Sequence, residues 1–278
     1  MSYRGRFAPS PTGPLHPGSL VAALGSWLCA RHAGGRWLLR IDDIDPPRER
    51  AGAAAAILAA LPSFGLVADE PVLWQSQRGE AYQHAFEQLE QRGLVFPCWC
   101  SRSDLAAANG IHRDGRCVAP ADPNRAPAWR IRVPAECVIH FDDALHGPQA
   151  QPIGVQGDFV IRRVEGYYAY HLACVVDDAF QRITEVVRGS DLLASCGRQI
   201  YLQQQLGLPT PRYRHLPLVL AADGSKLSKS SDAPALLPTQ PLPALRQALA
   251  LLGVTGVGGD SVPALLDQAL ARFDPARG

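Results

Sequence analysis

Two segments far apart in the chain carry residues suited to gripping a polyphosphate. The first, Pro9-Ser10-Pro11-Thr12-Gly13-Pro14-Leu15-His16-Pro17-Gly18-Ser19, sets a histidine and small residues just ahead of an expected helix start. The second, Lys226-Leu227-Ser228-Lys229-Ser230, puts two lysines on a hydroxyl-rich loop. Helix N-termini and backbone amides attract anions. A lysine brought in from the opposite side neutralises the charge that develops as pyrophosphate leaves. His16, Gly18, Ser19, Lys226 and Lys229 are therefore the expected polyphosphate-binding set, with His16 and Lys229 as its catalytic members. Gly18 would let the nucleotide approach the backbone closely. Either half alone is common, because a capped loop histidine and an exposed basic turn look the same in sequence. The order and separation of the two give the pair its weight.

A second constellation has metal-ligand chemistry. Cys98-Trp99-Cys100 with Cys117 supplies three thiolates, and zinc prefers four tetrahedral ligands. His112 is the best nitrogen donor for the fourth position, with Asp114 and Cys137 as alternatives. Four protein ligands would leave no open position, so the expected role is structural. Buried reduced thiols are the plainer reading, and it is the one given to Cys29, Cys137, Cys174 and Cys196, which sit in apolar surroundings. Asp177 and Asp178 look like a metal pair. On a strand, however, neighbours point to opposite faces, so they stay outside the expected catalytic set.

These residues need elements to hold them. Residues 3–8 read as a buried strand, 20–33 as a helix ended by Gly34-Gly35, and 37–41 as a strand. A helix over 48–61 follows, opened by Pro46-Pro47. Such alternation argues an α/β fold with a parallel sheet, whose ligands sit at the carboxyl ends of the strands. A helix over 80–91 precedes a change of texture from 94 to 152, rich in Cys and Pro, with a short strand at 129–133; this reads as an insertion. The alternating pattern resumes at 159–162 and 168–178. A helix near 191–206 and a strand at 216–220 then lead into the lysine loop. Two short helices, 242–252 and 262–273, complete the chain. The expected division is 1–93 and 153–235 for the two halves of a catalytic domain, 94–152 for the insertion and 236–278 for a short helical region.

Composition sets limits on partners. A chain of 278 residues with 47% apolar content can pack a sizeable core. A net charge of +1 excludes blanket electrostatic binding of nucleic acid, so RNA contacts must come from local arginine patches. Seven cysteines favour reduced thiols or metal ligation over a disulfide framework. With no apolar run of membrane-spanning length and no signal-peptide pattern, the expectation is a soluble cytoplasmic protein.

The two phosphate-binding segments resemble the HIGH and KMSKS signatures of class I aminoacyl-tRNA synthetases. Arg6-Phe7-Ala8-Pro9-Ser10-Pro11-Thr12-Gly13, Leu39-Arg40-Ile41-Asp42-Asp43-Ile44-Asp45-Pro46-Pro47-Arg48 and Glu185-Val186-Val187-Arg188-Gly189-Ser190-Asp191-Leu192 are similar to the glutamyl and glutaminyl branch. Tyr168-Ala169-Tyr170-His171-Leu172-Ala173-Cys174-Val175-Val176-Asp177-Asp178 extends the match. The resemblance implies a Rossmann-like (HUP-type) catalytic domain, glutamyl-adenylate formation from ATP with Mg²⁺, and a glutamate pocket drawn from Arg6, Ala8, Ser10, Asp42, Tyr170 and Arg188. Glutamate presents two carboxylates and an ammonium. Arg6 and Arg188 suit the former, Tyr170 can donate a phenolic hydrogen bond, and Asp42 suits the latter. The family normally has glutamate where Asp42 stands. At the metal cluster the subfamily typically has a tyrosine near the position considered for His112.

Only a short stretch follows the KMSKS-like loop, where a full glutamyl enzyme carries an anticodon-binding domain. The implied subfamily is a truncated, monomeric paralogue whose RNA partner is tRNA(Asp), glutamylated on the queuosine base of its anticodon. Ordinary charging of tRNA(Glu) is the alternative within enzymes. A non-catalytic RNA-binding paralogue would have no need of both His16 and Lys229. A pantothenate-synthetase-like ligase would not explain residues 42–48 together with Arg188.

Overall fold

The computed structural model describes residues 2–106, 109–218 and 236–276. Strand β1 (Arg4–Phe7) feeds helix α1 (Pro17–His32), which returns to β2 (Arg36–Ile41). The helix expected to continue from Pro46-Pro47 is interrupted. A single 3-10 turn, Pro46–Arg48, ends at once, and α2 (Ala53–Ala60) starts afresh after Gly52. Gly52 has a φ of 77°, a left-handed conformation that glycine adopts without strain and that breaks helical continuity. Next come the two-residue strand β3 (Leu73–Trp74) and helix α3 (Gly79–Gln91).

The central stretch holds β4 (Val95–Cys98), β5 (Ala128–Ile131), the hairpin of β6 (Ile139–Asp143) and β7 (Gly147–Gln151), and the single turn α4 (Ile153–Gln156). Beyond it lie β8 (Phe159–Arg162), α5 (Tyr170–Phe180), β9 (Glu185–Gly189), α6 (Cys196–Leu206) and β10 (Arg212–Leu216). Helices α7 (Pro241–Leu251) and α8 (Val262–Arg272) close the described chain. The strand expected at 216–220 therefore runs earlier, over 212–216. The lysine loop with Lys226 and Lys229 lies outside the described residues.

Strands β1, β2 and β3 are parallel neighbours, and β9, β10 and β6 form a second parallel set edged by antiparallel β7. The sets meet at β1 and β9, where Thr184 N donates to Arg4 O at 2.9 Å. A third, antiparallel sheet joins β4, β5 and β8. The hairpin within 94–152 thus belongs to the parallel layer, while β8, beyond that stretch, pairs with β5.

Side-chain alternation along these strands gives the layer two different faces. Phe7, Trp37, Leu39, Val187 and Leu216 project into an apolar core shared with α1, α2, α7 and α8. Gly25 permits the close approach of α1, because a methyl group there would lie 2.6 Å from Leu216 Cδ1. The opposite face carries Arg6, Arg40, Arg188 and His215 beside a second core that includes Val186, Tyr213, Leu172 and Val175. Asp177 and Asp178, expected on a strand, lie on α5. Both are buried, on a helix whose exposed positions are few. Among the described residues no helix is long and apolar enough to cross a membrane.

Candidate active site

Parallel register explains why the polar residues converge. His215 of β10 stands opposite Arg188 of β9, so both side chains leave the same face. Asp143 of β6 stands opposite Tyr213, two residues before His215, and so shares that face as well. Arg6 stands opposite Leu38, two residues before Arg40. All lie toward the carboxyl ends of parallel strands, where such sheets place ligands.

The left of this row is saturated with charge pairs. Arg6 donates to both oxygens of Asp178, at 3.0 and 3.3 Å. Fully buried Arg40 donates from Nε to Asp42 Oδ1 at 2.7 Å and from Nη1 to Asp178 Oδ1 at 2.6 Å. Burial alone would push the Asp178 carboxyl up. The Arg6 and Arg40 guanidiniums overcome that effect and hold it well below the usual carboxylate range. At Asp42 burial prevails over Arg40, and the carboxyl stays above its ordinary value.

The right of the row is held differently. Arg188 is 5% exposed. Its donors go to His215 Nε2 (3.0 Å), Tyr170 OH (3.2 Å), Leu192 O (3.3 Å) and Cys196 Sγ (3.1 Å). Every one of those partners is neutral. Among the described residues Arg188 has no carboxylate within ion-pair distance. Burial pushes the Tyr170 phenol up, and Cys174, Arg188, Asp42 and Arg6 are all near enough to act on it. Four of the residues expected around glutamate, Arg6, Asp42, Tyr170 and Arg188, are thus brought together. Ala8 is half-buried and Ser10 exposed on the loop after β1. That loop runs beside residue 42, since Asp42 N donates to Pro9 O at 3.0 Å.

His16 is the N-cap of α1: its Nδ1 accepts from Ser19 N at 3.3 Å, and its Nε2 lies 2.8 Å from Ser19 Oγ. Pro17 in the first turn lacks an N–H that the helix could not have used. His16, Gly18 and Ser19 are half-buried around the positive end of the helix dipole.

The ligand atoms of Cys98, Cys100, His112 and Cys117 all lie within 4.8 Å of one another. Asp114 and Cys137 are outside that group. His112 Nδ1 lies 3.0 Å from Asp158 Oδ2, an acceptor, so Nδ1 carries the proton and Nε2 keeps its lone pair. That Nε2 is buried and has no hydrogen-bond partner. Burial, followed by the neighbouring Cys98 thiol, pushes the Cys117 thiol up to about 12. Three clustered thiols resist joint ionisation unless a cation stands among them. An orphaned imidazole nitrogen facing three thiols fits a Cys₃His zinc site with four ligands and none to spare.

Several residues of this architecture escaped the sequence reading, namely Arg40, His215, Asp143 and Asp158, and Asp178 was read there only as half of a metal pair. One signal was available. A charged residue inside an apolar strand or helix, as in Trp37-Leu38-Leu39-Arg40-Ile41 or Leu172-Ala173-Cys174-Val175-Val176-Asp177-Asp178, is rarely buried without a partner.

The class I tRNA synthetase (E and Q) catalytic domain matches residues 2–240, and the chain belongs to that family. It is accordingly a ligase with a class I synthetase fold. Among its relatives, a glutamyl-Q tRNA(Asp) synthetase of Xanthomonas oryzae pv. oryzae is 56% identical over 281 residues, spanning 99% of this chain and 92% of that one. Another of that name from Burkholderia mallei is 52% identical, spanning 98% and 96%. In structure the chain is similar to a glutamate tRNA ligase from Elizabethkingia meningosepticum, with a TM-score of 0.82 at 24% identity, covering all of this chain and 66% of that one.

Proposed function

We propose that the chain activates L-glutamate with ATP and Mg²⁺ as glutamyl-adenylate and transfers it to the queuosine base of tRNA(Asp). The observation that carries the amino-acid assignment is the charge balance of the pocket. Among the described residues three guanidiniums, those of Arg6, Arg40 and Arg188, face two carboxylates, Asp42 and Asp178, and Arg188 is the one without an ionic partner there. A buried cation in that position needs an anion, and glutamate carries a net negative charge where glutamine carries none. In this reading Arg188 with Tyr170 takes a substrate carboxylate. Asp42, whose carboxyl burial holds high, takes the ammonium. Arg6 shapes the pocket wall from its pair with Asp178, beside Ala8 and Ser10.

On the nucleotide side His16, Gly18 and Ser19 offer the positive end of α1 to the phosphates, and Lys226 and Lys229 supply compensating charge. Charge compensation and positioning are all that such a step needs from the protein. Zinc held by Cys98, Cys100, His112 and Cys117 supplies folding energy to the insertion and takes no part in the reaction. The acceptor rests on the names of relatives more than half identical over nearly the whole chain.

Pyrophosphate exchange with each amino acid in the absence of RNA tests the first half. Glutamate should support it and glutamine should not; equal rates with both would overturn the pocket assignment. The second half is tested on tRNA(Asp) with and without queuosine. Periodate should abolish acceptance by oxidising the cyclopentenediol, and a 3′-deoxy terminus should leave it intact. Glutamate found as an ester on the 3′ end of tRNA(Glu) would instead identify ordinary glutamylation.

A further inference from the structure

Among the described residues Arg188 is the pocket cation with no ionic partner, and something other than charge pairing must aim it. Its Nε–H points at His215 Nε2 at 3.0 Å. A guanidinium only donates, so that imidazole nitrogen must present a lone pair. The other ring nitrogen, Nδ1, lies 2.6 Å from Asp143 Oδ2, and a carboxylate only accepts, so the imidazole proton must reside there. The two requirements select the same tautomer. Asp143 is itself fixed, because its Oδ1 accepts from Leu145 N at 3.1 Å and from His146 N at 3.0 Å in the turn after β6. The Asp143 and His215 side chains are both wholly buried, so no water competes for these bonds.

We infer that Asp143 and His215 are positioning residues for Arg188. They form a relay that runs from the β6 turn across β10 to β9 and fixes the plane of the guanidinium. Nε–H goes to His215, one Nη1 hydrogen to Tyr170, and both Nη2 hydrogens to Leu192 O and Cys196 Sγ. Among the described residues that leaves one Nη1 hydrogen for a ligand, in a direction set by the relay. The inference rests on the proposed glutamate pocket for its ligand, while the relay itself is a matter of hydrogen-bond chemistry.

The test compares Asp143→Asn, His215→Gln and wild type. In Asp143→Asn the amide oxygen stays with the two backbone donors, and the NH₂ group then faces Nδ1. That forces the opposite tautomer and turns an N–H toward the Arg188 N–H. Gln at 215 can donate to Asp143 and still accept from Arg188. ¹⁵N resonances of the His215 ring should show a protonated Nδ1 in wild type and a protonated Nε2 in Asp143→Asn. In pyrophosphate exchange, Asp143→Asn should raise KM for glutamate by roughly ten- to a hundredfold with KM for ATP within about twofold, and His215→Gln should stay within about threefold of wild type for both. A protonated Nε2 in wild type, an unchanged KM for glutamate in Asp143→Asn, or a parallel rise in both KM values would overturn the relay. Should wild type show the expected tautomer yet no glutamate-dependent exchange, the relay stands and the amino-acid assignment fails.

Discussion

Arg6 and Arg40 at one end of the polar face, and Arg188 at the other, share a sheet surface and nearly equal burial, yet their charges are met in opposite ways. The first two are locked to Asp178 and Asp42. Arg188 is surrounded by an imidazole, a phenol, a thiol and a carbonyl. An arginine already neutralised by protein carboxylates mainly ties elements together, whereas one solvated by neutral groups keeps its charge available. In the proposed pocket the contrast separates the arginines that hold its wall from the one offered to the substrate, a distinction that burial alone does not make.

The largest effect should come from the saturated end. Replacing one member of a buried pair leaves its partner uncompensated, so Arg40→Leu should lower unfolding free energy by about 3–5 kcal/mol, as measured by denaturant titration. A loss below about 1 kcal/mol would mean that Asp42 and Asp178 do not depend on Arg40. At the other end, Arg188→Leu should cut kcat/KM for glutamate by roughly a hundred- to a thousandfold. Its stability should fall by about 1–3 kcal/mol, less than for Arg40→Leu, since the buried partners left unsatisfied are neutral. Equal destabilisation by the two variants would erase the contrast.

The metal cluster sharpens it, being a second place where buried ionisable groups wait for an opposite charge. Asp158 accepts from His112 Nδ1, and also from Gly115 N and Val133 N. Asp158→Asn should therefore weaken zinc retention by about ten- to a hundredfold in a chelator competition. Unchanged retention would show that His112 is oriented by other means.

The smallest effect is on pH dependence. Burial, with Arg198 and Arg188 adding to it, lowers the His171 imidazole to about 3. Because the folded value lies below the unfolded one, the native state binds fewer protons. Stability is complete above the unfolded value of about 6.5 and falls as pH drops below it toward the folded value. Between pH 7.5 and 5.5 this group should account for about 1 kcal/mol of lost stability. Thermal melts of His171→Gln should show a correspondingly shallower acid slope, and an identical slope would place the titration elsewhere.

The strands and helices around these residues were largely legible in sequence, because alternation of short apolar strands with helices is a local signal. The interrupted helix was not, since Pro46-Pro47 announces a start while the left-handed Gly52 that cancels it looks like any glycine. Arg6, Asp42, Tyr170 and Arg188 came from the resemblance to the glutamyl and glutaminyl branch, and the fold brings these four together. Their supports were hidden for a geometric reason. His215 meets Arg188 through strand register, and Asp178 meets Arg6 and Arg40 by the docking of a helix onto a sheet, neither of which leaves a mark in the spacing of residues along the chain. Reading 168–178 as strand misplaced Asp178 in particular, because on a helix it shares a face with Cys174 and lies two turns beyond Tyr170.

Helix α5 carries Asp178 near its end, anchored to the saturated arginines, and Tyr170 at its first residue, bonded to the unsaturated one. Eight residues of α-helix separate them, a span of about 12 Å at the regular rise per residue. The two ends of the proposed pocket are therefore calibrated by a rigid gauge. Both ends ride on one helix, so their separation is set by its length and not by the path of a loop.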